Sequence, residues 1–450
     1  SSEDQEVGRV TLAAGDGRRL HLELHEALLL ARAELPDPVQ APALLSGPGL
    51  PSFRRLFSPE PTALRRHHFA PDDRAVASIG SDHVFQGGHW FFSPPPFCFA
   101  LEEERGSLAV GVACGPEELD FSAFEYDGAF RVRYDRVPVD GPFLGPALLI
   151  LPVEGDGYRA IERYRDYLWE AGLAPRRTGR TPAAWWSEPN FCGWGEQSYR
   201  GWELGWNKPG VLPDRTETRC TQRFYQETLT RLEAEGLDPG VVTIDDKWQW
   251  VYGLARPDPD RWPDLAGFIS AQHARGRRVL LWWKVWDGEG LPSEELLEGG
   301  ERPVVDPTSA AYRKRLAREV RHALLELGAD GFKVDFLHRG PTPTHKPSRG
   351  GIGGVRLLRA MLEALRAPAL EAKSDALLVS HSVNPYLADL VDMVRLNDIS
   401  NPPGVLDGVV AEMRHRARLS RAACPEALID ADNWPRPNRQ QWREYVAAQP

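Results

Sequence analysis

From Pro182 to residue 450, short runs of β-branched and aromatic residues alternate with helical patterns. Strands are expected to begin near Ala184, Val241, Val279, Gly331, Leu377, Met393 and Leu428, with amphipathic helices over 221–235, 310–327 and 355–365 between them. Repeated βα units predict a parallel sheet with right-handed crossovers. Seven of them in this span fit a (β/α)8 barrel better than an open sheet, the barrel being a unit of ~250 residues. The count is one short. Either one strand escapes this reading or the sequence stops before the eighth, after a last helix over 438–448.

The preceding stretch has a different rhythm. Alternating runs such as Ser107-Leu108-Ala109-Val110-Gly111-Val112 and Ala129-Phe130-Arg131-Val132-Arg133-Tyr134 are separated by Gly, Pro and Asp turns, which predicts an antiparallel β-sandwich. Three consecutive prolines make 91–99 a loop or sheet edge. Tyr158, Ile161, Tyr164, Tyr167 and Leu168 recur at helical spacing up to Gly172, a C-terminal helix stop. The expected architecture is therefore α/β: a β-sandwich domain over 1–175 and a TIM-type barrel domain over 176–450.

Composition narrows the partners. The net charge of −10 and the lack of a basic run argue against nucleic acid and anionic membrane. No apolar segment approaches the ~20 residues that span a bilayer, and Ser1-Ser2-Glu3-Asp4-Gln5 does not read as a secretory leader. The five cysteines (98, 114, 192, 220 and 424) never form C-x-x-C, which fits free thiols in a reducing cytoplasm. His67, His68 and His381 show no metal-ligand spacing.

Chemistry gathers at the strand ends, where a parallel barrel places its active site. The second strand ends Ile244-Asp245-Asp246-Lys247-Trp248, the third Trp282-Trp283-Lys284-Val285-Trp286-Asp287, and the fourth Lys333-Val334-Asp335. The sixth ends Arg395-Leu396-Asn397-Asp398 and the seventh Asp430-Ala431-Asp432-Asn433-Trp434. An isolated K-x-D is most simply a structural ion pair, and an aspartate at a strand end commonly caps the next helix, as Asp306 and Asp287 are placed to do. Carboxylates at five of seven ends, with Lys and Trp among them, instead form the lining a sugar requires. Carboxylates accept from hydroxyls, indole faces pack on a pyranose, and two carboxyl groups can cleave a glycosidic bond.

These stretches resemble the α-galactosidase clan of retaining glycosidases, which contains glycoside hydrolase families 27, 31 and 36. Gly331-Phe332-Lys333-Val334-Asp335-Phe336 is similar to its K-x-D nucleophile strand, and Ile244-Asp245-Asp246-Lys247-Trp248 to its D-D-x-W strand. Trp262-Pro263-Asp264-Leu265 through Gly276 and Leu281-Trp282 follows its F-P-x-G-L to G-L-W segment, and Val394-Arg395-Leu396-Asn397-Asp398 its R-x-x-D region. A β-sandwich before the barrel matches family 36 best. The resemblance implies Asp335 as nucleophile and Asp398 as acid/base. It makes Asp245 and Asp246 ligands of the far sugar hydroxyls, Lys333 a ligand that also keeps Asp335 ionised, and Arg395 a sugar contact. Trp186, Trp248, Trp282, Lys284 and His381 complete the expected substrate-binding set, and no metal or organic cofactor is implied.

Three departures keep alternatives open. His381 stands where family 36 often has a Gly-rich ending, and Lys284 where an acidic residue is common, which allows a charged or otherwise modified sugar. Strict alternation puts Asp398 on the opposite face from Arg395, so Asp430 and Asp432 rival it as acid/base. The expected activity is a retaining exo-α-glycosidase acting on an oligosaccharide or glycoside. The alternatives are a transglycosidase of the raffinose-synthase type, an α-glucosidase-like hydrolase, and a non-catalytic carbohydrate-binding relative. Gly350-Gly351-Ile352-Gly353-Gly354 lacks the G-K-[ST] ending of a phosphate cradle, so 340–354 is expected to be a mobile loop over the barrel mouth. Of Trp185, Trp186, Trp194, Trp202 and Trp206, the first two are placed on a strand and at least one other near substrate.

Overall fold

The computed structural model describes residues 8–36, 43–46, 53–59, 77–80, 94–134, 142–177, 179–203, 216–299, 302–337, 340, 348–396, 408–431 and 439–449. The chain starts in two antiparallel sheets. One has eight strands, running in space Gly8–Ala13, Arg19–His25, Leu28–Leu35, Ala147–Val153, Ser107–Ala113, Cys98–Glu102 and Arg55–Phe57, with Phe143–Leu144 paired to Leu28–Leu35. The other runs Ala43–Ser46, Ala129–Arg133, Ala123–Tyr126 and Ala77–Gly80. Phe99 of the first sheet meets Phe124 and Phe130 of the second at ring centroid distances of 5.2 and 6.0 Å, so the facing sides share one core. Cys98 and Phe99 belong to a buried strand rather than to the proline loop before them.

Helix α1 (Gly157–Glu170) follows the expected pattern. Asp156 caps it by accepting from Arg159 N, and Ala160, Ile161, Tyr164 and Leu168 form its buried stripe. Tyr164 donates to Val112 O at 2.6 Å, fixing the helix to the larger sheet. Gly172 takes φ +66°, the left-handed conformation that ends the helix.

Beyond the linker lie seven parallel strands: β1 (Asn190–Cys192), β2 (Val241–Ile244), β3 (Arg278–Trp283), β4 (Gly331–Val334), β5 (Leu377–Ser380), β6 (Met393–Arg395) and β7 (Leu428–Asp430). They pair strictly in sequence order. A doubly wound sheet reverses order at a switch point; this one never does, so its winding is that of a barrel wall. Among the described strands none joins β7 to β1. The helices are α2 (Gly193–Glu203), α3 (Gln222–Ala234), α4 (Leu265–His273), α5 (Ala310–Arg321), α6 (Gly354–Ala372), α7 (Gly408–Ala423) and α8 (Arg439–Ala447).

Two expectations are corrected. Ala184–Ser187 is a 3-10 turn and the first strand starts at Asn190, because Pro182 and Pro189 bracket the Trp185-Trp186 pair and an apolar run alone does not distinguish a strand from a plug. The described part of the supposed lid is pinned rather than free: Arg349 N donates to Asp306, Gly350 N to Thr308 and Gly353 N to Asp120. Residues 341–347 lie outside the described residues. No helix among the described residues is long and apolar enough to cross a membrane.

The register layers one face of the parallel sheet. Trp282, Lys333, Val379, Met393 and Leu428 pair successively across five strands. Below them Val241, Leu280 and Leu377 form an apolar floor with Trp186 and Val379. One step above, Arg395 pairs with Asp430, and period-2 alternation brings Asp335 and His381 to the same level. The opposite face packs Val242, Val279, Phe332 and Leu378 against the helices.

Candidate active site

Asp335 follows the last residue of β4, and its side chain is enclosed. Trp282 Nε1 donates to Oδ2 at 2.7 Å and the Phe336 backbone N–H to Oδ1 at 2.7 Å. Arg395 Nη1 stands 3.3 Å from Oδ2 and His381 Nε2 3.7 Å from Oδ1. Phe336 holds φ +54°, a conformation bulky side chains avoid, and this backbone turn aims its N–H at the carboxylate. Arg395 Nη1 also donates to His381 Nε2 at 2.6 Å, which makes that nitrogen an acceptor. Burial alone would raise the Asp335 carboxyl. The Arg395 and Lys333 charges and the indole hydrogen bond outweigh it and hold the group well below the usual carboxylate range.

Lys333 points to the same side from one layer below. Its Nζ is 2.5 Å from Asp245 Oδ2, with both side chains almost wholly buried. Burial and Arg395 work against its charge, but Asp245 prevails and keeps it protonated above the ordinary lysine range. Cys192, at the end of β1, donates its thiol to Asp245 Oδ2 at 3.0 Å and lies 3.5 Å from Lys333 Nζ. Burial first, and Asp245 second, push that thiol well above its ordinary value. Tyr225 of α3 accepts from Asp245 N at 2.9 Å, tying the strand end to the helix behind it.

Asp246 is more open. Burial nevertheless pushes it up to about 7, against the Tyr252 hydroxyl, which donates to Oδ1 at 2.8 Å, and against Lys284. Lys284 pairs with Asp287 at 3.0 Å and sits 3.4 Å from the centroid of the Tyr252 ring.

The tryptophans are placed as framework. Trp248 is fully buried and donates its indole proton to Trp282 O at 2.6 Å. Trp186 lies at the other end of the sheet, beneath Arg180, donating to Asp375 O at 3.1 Å. Thus Asp335, Lys333, Asp245, His381, Arg395 and Trp282 converge, Asp246 and Lys284 line the neighbouring wall, and Trp186 and Trp248 stand apart. Asp430 faces Arg395 in the register. Asn397, Asp398, Asp432, Trp206, His67 and His68 lie outside the described residues. Among the described residues no group of three or more His, Cys, Asp or Glu is placed to hold a metal.

No protein-family profile matches the sequence, and no curated protein matches it. Solved structures do. An α-galactosidase from Thermus thermophilus in complex with stachyose superposes with a TM-score of 0.56 at 18% identity, over 98% of this chain and 92% of that one. A family 31 α-xylosidase from a soil metagenome complexed with xylose gives 0.54 at 13% identity, over 100% and 75%. The α-galactosidase from Lactobacillus brevis gives 0.53 at 12% identity, over 99% and 63%. The chain shares their fold.

Sequence reasoning missed Tyr252, Tyr225 and Cys192. Only Cys192 carried a signal, since it ends a strand. The tyrosines reach the site from a loop and from a helix, and no periodicity marks them.

Proposed function

We propose that this chain is a retaining exo-α-glycosidase of the α-galactosidase type, with Asp335 as nucleophile. The observation that carries the reading is the Asp335 cage: a carboxylate held ionised at the rim of a parallel sheet, oriented through both oxygens, beside a second ionic pair, Lys333–Asp245. In this reading Asp335 attacks the anomeric carbon and the glycosidic C–O bond breaks. A second acid protonates the departing oxygen and then removes a proton from the water that releases the sugar. Two such carboxyl groups stand ~5–5.5 Å apart in retaining enzymes. Asp398 is the proposed partner, with Asp430, level with Arg395, as the alternative. Asp245 and Asp246 would accept from hydroxyls of the bound sugar, with Lys333 and His381 beside them.

The domain division follows from the same reading: residues 1–175 as β-sandwich and 176–450 as the catalytic unit built on the seven parallel strands. The structures of similar fold are named as α-galactosidases and an α-xylosidase, which supports an α-glycoside as the substrate class. Five free thiols support a cytoplasmic location. A charged sugar is disfavoured, because Lys284 already has Asp287 as its counterion.

A panel of aryl α-galactoside, α-glucoside and α-xyloside, with the anomer of the first product read by proton NMR, tests the proposal. Retention is expected. Asp335→Ala should be inactive, and azide should restore turnover of an activated substrate as the β-glycosyl azide. Inversion, or an Asp335→Ala enzyme as active as wild type, would overturn the assignment. A wild type inert on the whole panel would favour a binding protein.

A further inference from the structure

The loop after β2 carries a tyrosine that the reaction above does not use. Tyr252 donates its hydroxyl to Asp246 Oδ1 at 2.8 Å. Its backbone N–H donates to Glu289 Oε2 at 2.9 Å, and the Trp283 indole donates to its carbonyl at 2.7 Å. The ring is held as well: Lys284 Nζ lies 3.4 Å and Lys247 Nζ 4.0 Å from its centroid, and the Trp282 ring stands 5.9 Å away. Each lysine has its own carboxylate, Asp287 at 3.0 Å and Glu289 at 3.7 Å. Lys247 also takes φ +73°, a left-handed backbone that a residue with a Cβ keeps only where its surroundings enforce it, and such outliers gather at functional sites.

We propose that Tyr252 is a positioning residue for Asp246: by binding Oδ1 it directs Oδ2 at a sugar hydroxyl, while the two lysines on its ring lock the loops after β2 and β3 into one wall. The inference rests on the glycosidase reading and adds to it the device that sets hydroxyl recognition. With cations on its ring, Tyr252 is not itself a stacking platform. The charged and titratable groups facing Asp246 are Tyr252, Lys284, Asp245, Asp335 and the Cys220 thiol. Of these the Tyr252 hydroxyl and Lys284 favour the ionised form, so deleting the hydroxyl raises the Asp246 carboxyl further.

Tyr252→Phe keeps the ring and its lysine contacts and removes the donor. On an aryl α-glycoside cleaved by the wild type, KM should rise about tenfold while kcat changes less than about threefold, as for loss of one charge-assisted hydrogen bond to bound substrate. The acid limb of kcat/KM should move to higher pH. In an Asp246→Asn background the same change should add less than about twofold, because the two residues act as one unit. Equal losses in both backgrounds, or an unmoved acid limb, would overturn the proposal. If the wild type cleaves no α-glycoside, the glycosidase reading fails by itself. The Tyr252–Asp246 linkage is then read without turnover, from the carbon-13 titration of the Asp246 carboxyl, identified by its loss in Asp246→Asn. An upward shift in Tyr252→Phe supports the positioning, and an unchanged titration refutes it.

Discussion

Trp282 donates its indole proton to Oδ2 of Asp335 at 2.7 Å, and its own backbone carbonyl accepts from Trp248 and Gln249. A side chain of β3 thus orients the carboxylate that ends β4, and the loop after β2 secures that side chain's backbone. Trp282→Phe keeps most of the packing and deletes the donor. Loss of a hydrogen bond to a charged group costs about 2 kcal/mol, so kcat/KM on an aryl α-glycoside should fall roughly thirtyfold. A value within twofold of wild type would deny the indole this role.

Lys333 and Asp245 form a pair with almost no solvent access. Replacing one member leaves the other charge buried and uncompensated, a loss of about 3–5 kcal/mol in stability. Lys333→Met should therefore unfold at distinctly lower urea than wild type as well as lose activity. Lys333→Met combined with Asp245→Leu should recover part of the stability and none of the activity. Circular dichroism during urea titration reads the first effect, and turnover the second.

Asp335 and Asp246 have opposite linkage to pH. The folded value of Asp335 is lowered, so its contribution to stability is present above the unfolded value of ~3.9 and is lost as pH falls through the folded value. Asp246 is raised to about 7, so its folded form holds a proton that the unfolded chain has released, and stability declines as pH rises from about 4 to about 7. Asp246→Asn should therefore melt higher than wild type at pH 8, by roughly 2 °C or more, and at the wild-type temperature at pH 3.5, where the folded and unfolded wild-type chains both hold the proton. Asp335→Asn should flatten the fall in melting temperature below pH ~4. Differential scanning calorimetry across that range tests both signs.

Gly354 joins the antiparallel sheets to α6. It takes φ +53°, and a Cβ there would lie 2.1 Å from Phe121 O, a backbone atom that cannot move aside cheaply. Gly354→Ala should cost about 2 kcal/mol or more, visible as a lower melting temperature. An unchanged melting temperature would mean that the α6 N-terminus is looser than its contacts indicate.

Much of the framework was legible because alternation is a strong signal. The period-2 run through Phe332, Lys333, Val334 and Asp335 put both charged groups on one side of β4, and both are found there. The strand starts at Val241, Gly331, Leu377, Met393 and Leu428 follow the same logic. Side-chain direction was not legible. Nothing in the order of residues says that the Trp282 indole proton turns onto Asp335, or that Trp248 turns onto a carbonyl. The Arg395–His381 contact depends on the register between β5 and β6, set by packing across the whole sheet. Tyr252 returns to Asp246 through a loop closed by the Gln249–Pro257 bridge, a long-range event with no local signature.

The apolar core of the antiparallel sheets does not stop at the linker. Val355, Val383, Tyr386, Val391, Val394 and Leu419 belong to the same cluster as Phe97, Phe99 and Tyr164, and the Tyr386 hydroxyl bridges Cys114 N and Val112 O. The sheets change from antiparallel to parallel along the chain, but burial draws no line between them. A fragment trimmed to the parallel sheet would carry an open greasy wound along β6 and α7, so the two sheet systems are expected to melt together rather than one after the other.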